Sequence, residues 1–305
     1  MLTPGAGPVS VHRAVAAALA ARVPLQTLLT LSTRGLLAAL PPGLQDVASV
    51  LGRCGESQRR LASDLVHRVL ECGGQALLAP DAGYPTQLNV SLGSHAPPVL
   101  FVLGHDGLLH DALAGLVGAR KPSERGRQLA AACAEFFVGH DVPVLSGGAR
   151  GVDQTAHQAA LALGGKTVIV LPQGLLTYRI PEAIRQALAQ GRAAIVSEFV
   201  PDAPWSVHAA VTRNATIAAL ARVLCVIEPR KTGGSIRTAR AGLAQGKPVL
   251  AYSPDGHGPG PEFLASAGVA DLLDSHDRLN AAALLESWNL PPQPSQRQRA
   301  LFDVP

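Results

Sequence analysis

The sequence predicts an α/β protein built on a doubly wound, mostly parallel sheet, with a small helical domain ahead of it. Three observations carry that prediction. From residue 99 onward, short apolar runs alternate with helix-length segments, the order that places helices on both faces of a parallel sheet. Glycine-rich turns follow several of the apolar runs. The chain has 305 residues, 47% hydrophobic and 16% charged, enough for one large core plus a smaller unit.

Taken in order, residues 11–72 are rich in alanine and leucine and are broken at Pro24, Gly35 and Pro41-Pro42-Gly43, which predicts several short helices. The expected domains are a helical unit over 1–75, a linker and lead-in segment over 76–98 marked by Tyr84-Pro85 and Pro97-Pro98, and the sheet domain over 99–290. Residues 291–305, PPQPSQRQRALFDVP, have the composition of a disordered tail. Strands are predicted over 99–103, 114–117, 142–146, 167–171, 193–196, 223–227 and 249–252. Helices are predicted near 124–138, 152–163, 181–190, 208–220 and 235–245. A ligand crevice is expected beyond the carboxyl ends of the strands.

The most informative unit is 144–171. Its first strand ends at Ser146, and Gly147, Gly148, Arg150 and Gly151 form the turn. Adjacent glycines permit positive φ and close approach to the backbone. Asp153 suits a helix N-terminus, and Val152, Ala156, Ala159, Ala160 and Leu163 share one helical face. Gly164-Gly165 closes the helix before the next strand. Such a turn aims N–H groups and a helix dipole at an anion. A tight packing connection is the alternative, since GxGxxG spacing is absent.

Three other segments share that sheet edge. Gly118, Arg120, Lys121, Ser123, Arg125 and Gly126 form a basic turn in which Ser123 can cap the next helix; a solvated loop is the alternative. Arg213 and Asn214 lie in an apolar helical pattern, so Arg213 either snorkels to the surface or forks towards an anion. Gly233, Gly234, Ser235 and Thr238 again give a strand, a glycine pair and hydroxyls at a helix start. With Arg120, Arg150, Lys166 and Arg213, these turns can line one phosphate-binding crevice.

No residues are arranged for covalent catalysis. His157 follows Asp153 by one turn, and the expected role of the pair is to brace the glycine loop. Ser146, Ser197 and Ser235 read as caps or donors, and Glu198 ends a strand on the ligand side, either touching a base or ribose or merely solvated. There is no GxxxxGK[ST] loop, so ATP hydrolysis is unsupported. The net charge of +4 is compatible with nucleic acid, and the low aromatic content of 4% shifts the expected contacts to phosphates. Cys54, Cys72, Cys133 and Cys225 form no CxxC pair, and Cys133 and Cys225 read as small buried hydrophobes. No metal or cofactor is expected. No leader pattern or membrane-length apolar run stands out, so a cytoplasmic protein with reduced thiols is expected.

The ordered motifs resemble one family. SGGARGVDQTAHQAALALGGKTVIVL is similar to the signature SGxARGID…AHxxAL…GGxTIAVL of the DNA-processing protein A (DprA/Smf) family. GYPTQL with PPVLFVLG, VGARKPSERG, IVSEFVPDAPW, TRNATIAALARVLCVIE and TGGSIRTARAGLAQGKPVLA follow in the family's order, covering roughly 80–255. The resemblance implies a Rossmann-like domain that binds single-stranded DNA in a basic pocket, behind an N-terminal SAM-like helical domain. It implies a non-enzymatic homodimer that protects incoming DNA and helps load the RecA recombinase in natural transformation. The family's RNR is Arg213-Asn214-Ala215 here, its closing Pro-Gly is Ser253-Pro254-Asp255, and no room is expected for the winged helix of many members. A nucleotide-binding sensor or nucleotide-processing enzyme of the same superfamily is the alternative, although its PGGxGTxxE motif is absent.

Overall fold

The computed structural model describes residues 56–79, 81–254 and 262–291. Most of the expected N-terminal helical domain and the expected C-terminal tail lie outside the described residues.

The elements run α1 (Glu56–Glu71), β1 (Gly74–Leu78), α2 (Thr86–Leu92), β2 (Val99–Gly104), β3 (Leu113–Gly118), α3 (Glu124–Gly139), β4 (Val144–Ser146), α4 (Val152–Ala162), β5 (Thr167–Val170) and α5 (Glu182–Ala189). They continue with β6 (Ala193–Ser197), α6 (Val207–Leu220), β7 (Ala221–Ile227), α7 (Gly234–Ala244), β8 (Val249–Tyr252), α8 (Glu262–Ser266), β9 (Ala270–Asp271) and α9 (Ala281–Asn289). The predicted strands and helices from 99 to 252 are all present. The strand expected over 142–146 shortens to Val144–Ser146.

The nine strands form one sheet in the order β1-β2-β6-β5-β4-β3-β7-β8-β9. β2 pairs antiparallel with both β1 and β6, and the other pairings are parallel. The chain winds outward from β3 through β4, β5 and β6, then returns to the other side of β3 with β7. The topological switch point therefore lies between β3 and β7.

β3 shows why the sheet is buried on both faces. Leu113 and Val117 join the core under α6 and α7, whereas Ala114 and Leu116 join the core under α3 and α4. Alternate side chains point to opposite faces. At Gly115 a Cβ would meet Leu224 Cδ2 at 2.5 Å and Ala221 Cβ at 3.1 Å, so the missing side chain makes room for these two β7 residues. Cys133 and Cys225 are buried free thiols within the α3/α4 layer. Leu163, expected on the buried face of α4, is instead its exposed C-cap.

The segment before residue 99 is not a linker. β1 adds an edge strand, and the boundary expected at 75 falls inside it. Val69 of α1 packs with Leu78, Phe101 and Ile195, so α1 belongs to the sheet domain. Tyr84 is buried, and its hydroxyl donates to the Pro97 carbonyl. Among the described residues no helix is long and apolar enough to cross a membrane.

Candidate functional site

A cleft of about 600 Å³ opens at the carboxyl edge of the sheet, over the switch point. The β3 turn contributes Gly118, Arg120 and Lys121. The β7 turn and the start of α7 contribute Glu228, Arg230, Gly233, Gly234, Ser235, Arg237 and Thr238. α6 supplies Trp205 just before its start, then Val207, Val211, Arg213 and Asn214, and Asp153 comes from α4. Arg120, Lys121, Arg230 and Arg237 are exposed and make no ion pair among the described residues.

The glycine turn after β4 is occupied by the protein itself. The backbone N–H groups of Gly147 and Ala149 donate to Asp153 Oδ2 at 3.2 and 3.3 Å. A Cβ on Gly147 would lie 1.7 Å from an Arg213 guanidinium nitrogen, so the missing side chain makes room for Arg213. Arg213 is buried, and its Nη1 donates to the Val170 carbonyl at 2.7 Å while its Nε finds no acceptor. Burial lowers the Arg213 pKa, opposed by the charges of Asp153 and Glu198. Burial raises the Asp153 pKa, opposed by the Arg213 charge and the two amides. The expected phosphate seat at Gly147-Gly148 is thus filled by an internal carboxylate and an internal guanidinium. Gly148, at φ 68°, has Ile169 and Tyr178 as its nearest side-chain neighbours.

Further expectations shift for the same reason. A Cβ on Gly118 would strike the Ile227 carbonyl at 2.2 Å, and one on Gly151 the Ala119 carbonyl at 2.3 Å, so both serve backbone packing. Ser146 is fully buried and donates to the Leu116 carbonyl rather than to a ligand. Ser123 caps α3 by accepting from Gly126 N at 3.0 Å, while its own N–H and hydroxyl donate to Glu228. A Cβ on Gly126 would meet the same carboxylate at 2.5 Å. Glu228, held at φ 50°, therefore fills the α3 N-terminus. Arg150 is exposed outside the cleft lining, and Arg125 pairs with Asp277. Lys166 precedes β5 at the opposite sheet edge and pairs with Asp141 at 3.1 Å; the glycine pair beside it suggested the wrong end of the strand.

His157 does not bond Asp153. Thr167 Oγ1 donates to the Val144 carbonyl at 2.9 Å, so it accepts from His157 Nδ1–H at 2.6 Å. Nε2 is left buried without a partner. Burial and the Arg213 charge push His157 down to about 3, so it stays neutral in the folded protein. A depressed histidine contributes stability that is complete above its unfolded pKa and is lost as pH falls towards the folded value. Between pH 7 and pH 5 this contribution should fall by about 2 kcal/mol, at 1.36 kcal/mol per unit below the unfolded pKa of about 6.5. Asp153, raised by burial, changes stability with pH in the opposite direction where it titrates. Urea unfolding at the two pH values should show the drop, and His157→Gln should flatten it. An equal slope in wild type and variant would remove His157 from the account.

One helix start in the cleft remains open. The N-cap of α7 is Gly233, whose φ of 146° favours glycine; it makes no side-chain cap bond, and the first turn of the helix holds no acidic residue. Asn214 Nδ2 and Thr238 Oγ1 donate to the Gly234 carbonyl at 3.3 and 3.1 Å and fix that turn. Arg213 and Asn214, expected beside a ligand, are instead braces within the cleft wall. The structure places Lys121 of the basic β3 turn in the lining and adds Arg237, Arg230 and Trp205. Their signal was faint, a few cations and one indole within turns already noted. Among the described residues no His/Cys/Asp/Glu group is suited to a metal.

Residues 75–282 match the family of DNA recombination-mediator protein A. The chain is 34% identical over 217 residues to protein Smf of Escherichia coli (strain K12), covering 69% of this chain and 57% of that protein. It is 33% identical to a putative DNA processing protein DprA of Mycobacterium tuberculosis, covering 70% of this chain and 56% of that protein. The matches thus span somewhat over half the length of these curated relatives. Among solved structures, DprA of Streptococcus pneumoniae aligns with a TM-score of 0.69 at 20% identity, over 92% of this chain and 94% of that one. DNA processing protein A of Helicobacter pylori, described for its single-stranded DNA binding mode, aligns with a TM-score of 0.58 at 22% identity, over 70% and 96%. These two likenesses bear on the fold. The family match over residues 75–282, with relatives at 34% and 33% identity over more than two thirds of the chain, establishes that the chain belongs to the DNA recombination-mediator protein A (DprA/Smf) family.

Proposed function

We propose that the cleft holds the phosphate backbone of single-stranded DNA and that the protein acts in DNA recombination as a binding module rather than an enzyme. The observation that carries this is the set of Arg120, Lys121, Arg230 and Arg237, exposed and free of ion pairs among the described residues, around the uncapped start of α7. Open helix N–H groups, a positive dipole end and nearby guanidiniums are what a phosphate needs. Both carboxylates of the lining, Asp153 and Glu228, accept hydrogen bonds from the chain itself, which supports binding over acid–base chemistry. The same reading extends to the family's wider role. In it, a homodimer protects incoming DNA and helps load the RecA recombinase in natural transformation, within the cytoplasm.

A cleft of this size also fits one nucleotide, which keeps a sensor or nucleotide-processing role as a second reading. Titration with thymidine oligonucleotides of increasing length separates them, because only a strand binder gains affinity beyond the mononucleotide. If four cations each meet one phosphate, log K should fall against log salt with a slope of about −2.8, at −0.7 per phosphate on single strands. A flat salt dependence overturns the phosphate reading.

A further inference from the structure

Resting on that reading, we propose that Trp205 is a seat for one unpaired nucleobase and makes the cleft prefer single strands to duplex. The chain is poor in aromatics, with two tryptophans. Trp288 is packed, 5.8 Å from the Phe137 ring and 5.3 Å from the Arg222 guanidinium. Trp205 has no ring partner among the described residues and is 48% exposed on the cleft rim. Val207 and Val211 line the same cleft, 68% and 36% exposed, one helical turn apart on α6.

An indole left half in water on a cleft rim that also exposes two valines is a surface that gains from being covered. The composition of the cleft names the occupant. α6 brings the apolar rim, and the β3 and β7 turns bring Arg120, Lys121, Arg230 and Arg237. A nucleotide divides its chemistry in the same way, with a flat apolar base face and an anionic phosphate. A paired base inside a duplex keeps its faces stacked on its neighbours, whereas an unpaired base can turn one onto an indole.

The backbone on both sides of Trp205 is pinned, which lowers the backbone entropy lost on stacking. Ser206 caps α6 by accepting from Ala209 N at 3.0 Å, fixing Trp205 directly ahead of the helix. On its other side the chain is pinned to the turn after β5. Gly174 N donates to the Ala203 carbonyl at 2.8 Å, and Leu176 N to the Pro201 carbonyl at 2.8 Å.

The test compares a thymidine oligonucleotide with an abasic oligonucleotide of equal phosphate count, by fluorescence anisotropy, on wild type, Trp205→Ala and Trp205→Phe. Wild type should prefer the thymidine strand by about tenfold or more, the range of one base stacked on an aromatic side chain. Trp205→Ala should bind both strands at the abasic level, and Trp205→Phe should retain most of the preference. Should Trp205→Ala fail to fold by circular dichroism, the wild-type preference and the phenylalanine variant decide. Equal salt-dependent affinity of wild type for both strands, or an undiminished preference in Trp205→Ala, overturns the base seat and leaves the phosphate cleft standing. Failure of wild type to bind either strand overturns both.

Discussion

Arg213→Ala is expected to lose about 3–5 kcal/mol of folding stability, the range for breaking a buried charge pair from one side. Arg213 and Asp153 are both buried, and each charge offsets the desolvation of the other. Removing the guanidinium leaves the Asp153 carboxylate with two backbone amides and no counter-charge. It also opens a hole above Gly147 and frees the Val170 carbonyl. Asp153→Asn in the same chain should recover part of the loss, because an amide oxygen still accepts from Gly147 and Ala149 without needing a cation. Urea unfolding of the two single variants and the double variant measures that coupling. A single variant within 1 kcal/mol of wild type, as for an ordinary surface change, would return Arg213 to the class of ligand contacts.

The opposite pattern is expected for Arg120→Ala combined with Arg230→Ala. Both side chains are exposed and without ion pairs among the described residues, so stability should change by no more than about 0.5 kcal/mol per site. Each lost charge-assisted contact should weaken oligonucleotide binding by about ten- to hundredfold, corresponding to about 1.5–3 kcal/mol. The salt slope should also become shallower by about 0.7 for each phosphate released. Unchanged affinity with unchanged unfolding would show that the strand runs elsewhere on the surface.

The sheet was legible because its signals are local. Each βα unit between 99 and 252 carries its own apolar run and turn. β1 escaped because GQALL directly follows a helical pattern and owes its strand state to pairing with β2. α2 was hidden between Tyr84-Pro85 and Pro97-Pro98, which read as breaks. At the site, residue types and turns were visible but partners were not. Nothing near Gly147 announces that Arg213 fills its missing side chain. Nothing near Ser123 announces Glu228, 105 positions away. Trp205 was lost in an average, since a low aromatic fraction says nothing about where one indole stands.

The placement of β3 also has a consequence for the chain as it is being made. β3 pairs with β4 almost at once, but its other edge waits for β7, whose register runs from Ala221 opposite Leu113 to Ile227 opposite Gly118. While the ribosome adds the intervening hundred or so residues, that edge stays an unpaired apolar strand, a template for sticking to other chains. A product cut short before residue 221 keeps it bare permanently. The cleft over the same seam comes into being only when β7 docks. An unfinished chain thus lacks both the strand that covers this edge and the wall that completes the cleft.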